Sequence, residues 1–346
     1  MTEIFSQTEL QNLVGAGLIK KHGGSGAYIL TGKGNKLLDD AFVSDILPYI
    51  QRSYRDADIQ RRLNIARLLL TFYRSGADVF TTGIDALGQG PGIFLPSNTR
   101  GRGANPWANT RIAAVASMEG SVYAIHHIRS DNGKLLFADE LAAFSRNTAQ
   151  LQAGRQAFLF AGESYAEILS ELEHREDSPG DRLIGYGEAY QRLRMDAHLV
   201  TCDTTGALQL AIMARPDYRR RLTRLAVQSK FVPPPEDFPG CDAFYEGAPF
   251  LLAADMDLRR IDAAIQTAYE RGCYPVVLAA LAGQAEAVLY ARYRDTGKAR
   301  VFRLTDSALR EFFGADAPLY APSHQQFLTA KGGVIDAPLI QAHRKT

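Results

Sequence analysis

Along the first forty residues the apolar positions follow first a helical period and then a strand-like one. Leu10, Leu13, Val14 and Leu18 fall at i, i+3, i+4 and i+8, which predicts a helix over residues 6–19. Ser6 stands where an N-cap belongs, and Glu9 three residues later completes a capping box. The next stretch, Lys20-Lys21-His22-Gly23-Gly24-Ser25-Gly26, cannot continue a helix, because glycine is costly in a helix interior. With Ala27-Tyr28-Ile29-Leu30 behind it, it predicts a hairpin tip between two short strands. Thr31-Gly32-Lys33-Gly34 then turns the chain into a second helix, with Leu37, Leu38 and Phe42 on its apolar side. Residues 57–75 are apolar nearly all round (Ile59, Leu63, Ile65, Leu68, Leu69, Leu70, Phe72), which predicts a helix buried between other elements.

The pattern breaks over residues 83–107, where glycine and proline crowd the chain and predict a long loop and a domain boundary. Beyond it, strands and helices alternate. Strands are expected at 122–128, 157–161, 199–202, 207–213, 250–254, 276–281 and 286–292. Asp131-Asn132-Gly133-Lys134 reads as a hairpin turn into a further strand at 135–137. Helices are expected at 164–173, from Pro216 with Tyr218, Leu222, Leu225 and Ala226 inward, and at 256–271 and 305–313. The run from 250 to 281 is strand–helix–strand with short connections, which implies parallel strands. No internal repeat is visible. The expected fold class is therefore mixed α/β. Residues 1–80 form a small N-terminal module with a helical connector and 81–109 a glycine-rich loop. An α/β domain with a partly parallel sheet fills 110–346, and it divides near 231–247 if it forms two subdomains.

Composition narrows the partners. Apolar residues make up 46% and charged residues 22%, ordinary for a folded protein with a substantial core. Thirty-nine basic against 38 acidic residues give +1, so nucleic-acid binding has to come from a local patch. Cys202, Cys241 and Cys273 are far apart and form no C-x-x-C, which excludes a zinc ribbon or a disulfide framework. They suit a reducing cytoplasm. The start lacks the pattern of a signal peptide. The apolar run Val276 to Ala282 is far short of the ~20 residues that span a bilayer, so no membrane partner is expected.

The segment Gly17-Leu18-Ile19-Lys20-Lys21 … Tyr28-Ile29-Leu30-Thr31-Gly32-Lys33-Gly34 … Leu37-Leu38 resembles winged-helix transcription regulators. That resemblance implies that the helix before the wing enters a major groove and that basic wing residues contact phosphate. Carried over, Gln7, Gln11 and Asn12 face base edges, and Lys20, Lys21, His22 and Lys33 reach phosphates. In that family two helices precede the recognition helix, whereas only five residues do here. Either helices from further along complete the fold, or the module is degenerate. Its charge is balanced, with Lys20, Lys21, Lys33 and Lys36 set against Glu3, Glu9, Asp39 and Asp40. A second stretch, Ile93-Phe94-Leu95-Pro96-Ser97-Asn98 … Thr110-Arg111-Ile112-Ala113 … Val122-Tyr123-Ala124-Ile125-His126, resembles Firmicutes mobile-element proteins related to the plasmid replication-relaxation family. It implies a role on plasmid or conjugative-element DNA.

Acidic residues follow several expected strands, where open α/β sheets bind ligands. Glu163, Asp255 and Asp257 are a candidate Mg²⁺ set for phosphodiester chemistry, and their pattern resembles the Toprim arrangement of topoisomerases and primases. The plainer reading is that Asp255 and Asp257 cap the helix that follows them, as Glu163 and Ser164 cap theirs. Asp139-Glu140 lacks the lysine that a D…E-x-K nuclease core needs. His126 and His127 point to opposite faces of one strand, one packed and one exposed. Arg220 and Arg224 share a helix face and are a further phosphate-contact candidate against a merely solvated face. P-loop, nucleophile-elbow and H-E-x-x-H motifs are absent. The expectation is a cytoplasmic DNA-binding protein without catalysis or cofactor, serving replication, transfer or regulation of a mobile element. The alternatives are a Mg²⁺-dependent phosphodiester-processing enzyme and a winged-helix protein that uses its module to oligomerise.

Overall fold

Two Glu-Gly dipeptides set the frame of the larger part of the chain. Glu119 (φ 42°) with Gly120 (φ 65°), and Glu246 (φ 52°) with Gly247 (φ 80°), all lie in the left-handed region. Two consecutive left-handed residues make the tight turn whose twist suits a hairpin. A computed structural model describes residues 6–23, 26–34, 36, 56–79, 83–99, 106–128, 134–151, 153–174, 183–236, 238, 240–294 and 296–314, with strand fragments at 319–321, 326–328 and 334–335. The chain divides into two units, residues 1–67 with 336–346, and residues 68–335.

In the first unit, α1 (Gln7–Gly15) starts on the expected capping box: the Ser6 hydroxyl accepts from Glu9 N, and the Glu9 carboxylate accepts from Ser6 N. The helix stops short of residue 19 because Gly17 turns left-handed at φ 71°. β1 (Ile19–Lys21) then pairs antiparallel with β2 (Tyr28–Leu30), as the hairpin reading expects. Gly34 lies so close to the Leu18 carbonyl that an added Cβ would stand 2.1 Å from its oxygen. The helix expected around Leu37, Leu38 and Phe42 lies outside the described residues. α2 (Asp56–Arg74) is the helix expected at 57–75, but it is not buried all round: Gln60, Arg61, Arg62 and Arg67 are exposed while Ile59, Leu68 and Phe72 are buried, and it runs from the first unit into the second.

The first strand of the second unit is β3 (Gly92–Phe94), an edge strand inside the stretch expected to be loop. β4 (Ala114–Met118) and β5 (Ser121–His127) form the first Glu-Gly hairpin. α3 (Phe137–Thr148), β6 (Arg155–Gly162), α4 (Tyr165–Glu173), α5 (Tyr186–Arg192), β7 (Ala197–Thr201) and α6 (Thr204–Met213) follow, and then α7 (Tyr218–Val227). β8 (Ala243–Tyr245) and β9 (Ala248–Leu252) form the second Glu-Gly hairpin. After it come α8 (Leu258–Glu270), β10 (Val276–Ala280), the short α9 (Ala282–Gln284) continuing as a π-helix (Ala285–Arg294), β11 (Ala299–Arg303) and α10 (Asp306–Phe313). Strands β12 (Leu319–Ala321), β13 (Gln326–Leu328) and β14 (Val334–Ile335) pair among themselves.

The two sheets run β3-β4-β5-β6-β7 and β8-β9-β10-β11. In each, a hairpin is followed by two parallel crossovers, so β4 to β7 and β8 to β11 share one topology. The architecture therefore repeats where the sequence shows no repeat, because the two copies keep the hydrophobic pattern and the turn chemistry but not residue identity. β9–α8–β10 is parallel as expected. The halves meet where His198 of β7 bridges Asp257, with Leu199 N donating to Met256 O at 3.1 Å.

Alternate residues of each strand enter different cores. Val115, Ala124, Phe158, Leu199, Leu251 and Leu278 lie in one; Ala116, Ile125, Leu159, Val200, Leu252 and Val277 lie in the other. Helices cover both sheet faces, which is why the strands read as continuous apolar runs. This corrects several expectations. Residues 207–213 are helix, buried on every side. Residues 286–292 belong to the π-helix. Leu135 makes only an isolated bridge to Ile184, and Phe137 already starts α3. His126 and His127 are both buried, because β5 is covered on both faces. No helix among the described residues is long and apolar enough to cross a membrane.

Candidate functional site

The turn between β9 and α8 concentrates charge in the core of the second unit. After β9 the chain kinks at Met256 (φ 49°) and lays Asp255 and Asp257 beside the start of β7, both fully buried. A buried carboxylate is tolerated only with partners. Asp255 has them. Its Oδ2 accepts from Tyr218 Oη at 2.8 Å and Arg219 Nε at 2.8 Å, and Arg260 Nη2 stands 3.5 Å from Oδ1. Burial alone would raise this carboxyl, but Arg219 and Arg260, with His198 and the Tyr218 hydroxyl, outweigh burial and hold it far below the usual carboxylate range. Arg260 turns its other side to Asp242, donating from Nη1 to both oxygens at 3.0 and 3.1 Å.

A second buried network pins the same turn. Gln209 of α6 donates to Leu199 O at 2.7 Å and Asp255 O at 3.0 Å, and accepts from Tyr165 Oη and Gln284 Nε2. Gln284 also donates to Ala254 O at 2.9 Å. Two of these bonds, Gln209 Nε2 to Asp255 O and Gln284 Nε2 to Gln209 Oε1, join one half of the repeat to the other.

Asp257 is placed differently. Its Oδ1 caps α8, accepting from Arg260 N at 3.2 Å and from Ala197 N at 3.4 Å. Its Oδ2 is buried with no hydrogen-bond partner. Burial, with the Asp255 and Asp196 charges, raises this carboxyl against the pull of His198. Asp196 and His198 are two apart at the start of β7 and so share a face. Asp196, His198 and Asp257 bring one ligand atom each to within 4.8 Å of one another. Beside them opens a cleft of about 730 Å³, lined by Arg155, Arg194, Asp196, Arg219 and Arg260 among others.

The Mg²⁺ set expected from the sequence is not assembled. Gly162 pairs with Thr201, whereas Asp257 bridges His198, three residues back along β7. At about 3.3 Å per residue this separates the Glu163 backbone from Asp257 by roughly 10 Å or more. Glu163 is also exposed, and both oxygens of Asp255 are engaged. The capping alternative holds for Asp257, and Ser164, rather than Glu163, caps α4 through Glu167 N. Asp255 is an ion-pair centre instead of a cap.

On α7, Arg220 pairs with Asp217 and Arg224 lies over the Phe231 ring at 5.4 Å, both exposed, as a solvated helix face requires. Their neighbour Arg219 is the one turned inward. In the first unit, Gln7, Gln11 and Asn12 are exposed on α1, and Lys20 and Lys21 are exposed on β1. Neither lysine has an ion-pair partner among the described residues. His22 is half-buried at the hairpin. Lys33 donates from Nζ to Ala16 O at 2.9 Å, so it closes the end of α1.

No protein-family model matches the chain, and no curated protein or solved structure matches it either. Sequence reasoning missed Asp196, His198, Arg219, Asp242 and Arg260. The one local signal was Asp196-x-His198 at the mouth of an apolar strand, where period-two alternation puts both side chains on one face.

Proposed function

We propose that this chain is a DNA-binding protein that docks through α1 and the β1–β2 wing. The observation that carries the reading is the presentation of three amide side chains and two lysines without ion-pair partners among the described residues of this one small unit. Gln7 and Gln11, four apart, share one helix face. Amide side chains suit base edges, and ammonium groups suit phosphate. With the chain's net charge at +1, phosphate contact has to come from such a local group. The resemblance to replication-relaxation proteins favours plasmid or integrative-element DNA as the target. Lys33 stays out of the contact set because the α1 terminus already uses it.

Fluorescence anisotropy of the full chain on duplex DNA over about 50–200 mM salt tests the reading. Affinity is expected to fall steeply with salt. Lys20→Ala/Lys21→Ala should flatten the log–log slope by about 2, at ~0.9 per phosphate contact. Gln7→Ala/Gln11→Ala should leave that slope and reduce discrimination among sequences. Absence of duplex binding at the lowest salt overturns the proposal.

A further inference from the structure

We infer that Asp196, His198 and Asp257 form a binding site for a divalent first-row transition-metal ion, opening on the arginine-lined cleft of the second unit. This site is independent of the wing and of the DNA reading. Three observations meet there. The first is proximity: one donor atom from each residue lies within 4.8 Å of the others. Metal–ligand bonds of about 2.0–2.2 Å ask for donors roughly 3–4 Å apart, so the set closes around an ion by small side-chain rotations. Asp196 is free to make them, since its carboxylate has no hydrogen bond or ion pair among the described residues and is only half-buried.

The second observation is the orphan oxygen. Asp257 is fully buried, and its Oδ2 lacks any hydrogen-bond partner. Arg219 Nη2 stands 3.8 Å away, beyond hydrogen-bond reach. A buried carboxylate oxygen left this way costs free energy, and a cation would meet it.

The third is the state of the imidazole. His198 Nδ1 lies 2.9 Å from the Asp255 carbonyl oxygen. A carbonyl only accepts, so Nδ1 donates there and Nε2 is the ring nitrogen left for an ion. A ring nitrogen donating to a carbonyl while the other holds the metal is the usual support of a ligating histidine. The edge contact with Tyr123, at 5.5 Å between ring centroids, fixes the ring further.

One imidazole with two carboxylates suits Mn²⁺, Fe²⁺ or Zn²⁺ better than Mg²⁺, which prefers an all-oxygen shell. Three protein donors leave positions open, and Asp196 places them on the cleft. Arg155 and Arg194 line that cleft, exposed and without ion pairs among the described residues. An anionic ligand of the ion therefore meets two free guanidinium groups, and the ligand class that fits is a phosphate-bearing molecule.

Titration of the full chain with Mn²⁺, followed by the electron paramagnetic resonance of the free ion, and with Zn²⁺ by calorimetry, tests the site. One ion per chain is expected. Asp196→Asn and His198→Gln should each weaken binding by at least about ten-fold. Asp196→Asn removes no hydrogen bond among the described residues and should keep the wild-type melting curve, so it decides the matter even where His198→Gln disturbs folding. Glu163→Gln should bind as wild type. Failure to bind one Mn²⁺ or Zn²⁺ per chain, binding unchanged in Asp196→Asn, or Mg²⁺ competing as an equal would each overturn the assignment.

Discussion

Glu140 gives the sharpest test of how this core handles charge. It sits in the first turn of α3, fully buried. One oxygen, Oε1, accepts from Arg111 N at 2.5 Å, and Oε2 has no partner. Burial is the main cause of a carboxyl pushed up from 4.5 to about 7, against the smaller pull of the Arg111 and Ile112 backbone N–H groups. The folded state thus prefers the protonated acid, and the unfolded chain does not. Stability from this preference is fully present below pH 4.5 and is lost as pH rises through about 7. At about 1.4 kcal/mol per pKa unit the interval is worth about 3 kcal/mol. Glu140→Gln keeps a carbonyl for Arg111 N and removes the titration. Urea unfolding of both proteins from about pH 4 to about pH 8 should show near-equal stability at the acid end. At the alkaline end the variant should be the more stable by about 3 kcal/mol. Parallel stability curves for the two proteins would refute the reasoning, because they would mean that Glu140 is solvated or already ionised in the fold.

Three further outcomes are expected. His126, stacked on Phe158 at 5.6 Å between ring centroids, is lowered by burial to about 4 from 6.5. Its neutral form contributes stability that is present above pH 6.5 and lost as pH falls through about 4; His126→Phe should remove that acid limb in the same urea series. Arg219→Met leaves the fully buried Asp255 with Arg260 and Tyr218 alone, and should cost about 3 kcal/mol at neutral pH, with part of the loss recovered in Arg219→Met/Asp255→Asn. In the first unit, Gly34→Ala drives a Cβ to 2.1 Å from Leu18 O, so the β1–β2 amides should lose hydrogen-exchange protection, with a cost of about 1–3 kcal/mol.

The two proposals occupy separate units and fail separately. Loss of duplex binding in the lysine variants leaves Mn²⁺ binding intact, and Asp196→Asn leaves the salt dependence of DNA binding intact. If both hold, a protein docked by its wing also carries a metal centre beside Arg155 and Arg194, and the phosphate-bearing ligand of that centre is the next question.

Local chemistry was legible from the residues alone. The Ser6–Glu9 capping box, the hairpin after α1, the parallel β9–α8–β10 unit and the capping role of Asp257 each depend on contacts within a few residues or on one repeating period, and each is present. Readings that needed to know what lies on the other side of an element went astray. Residues 207–213 are apolar on every face and fit a buried strand or a buried helix equally; only the cores on both sides make them helix. Arg219 and Arg220 are adjacent in one basic run, yet helical geometry turns one onto Asp255 and leaves the other in solvent. Asp196, His198 and Asp257 are 61 residues apart at their widest, and only the meeting of β7 with the Met256 kink brings them together. The sequence by itself determined the short-range elements and their caps, because those are settled by backbone hydrogen bonds and side chains a turn away. The tertiary structure alone decided the duplicated topology, the buried charges and the meeting of Asp196, His198 and Asp257, because these follow from which surfaces are removed from water together.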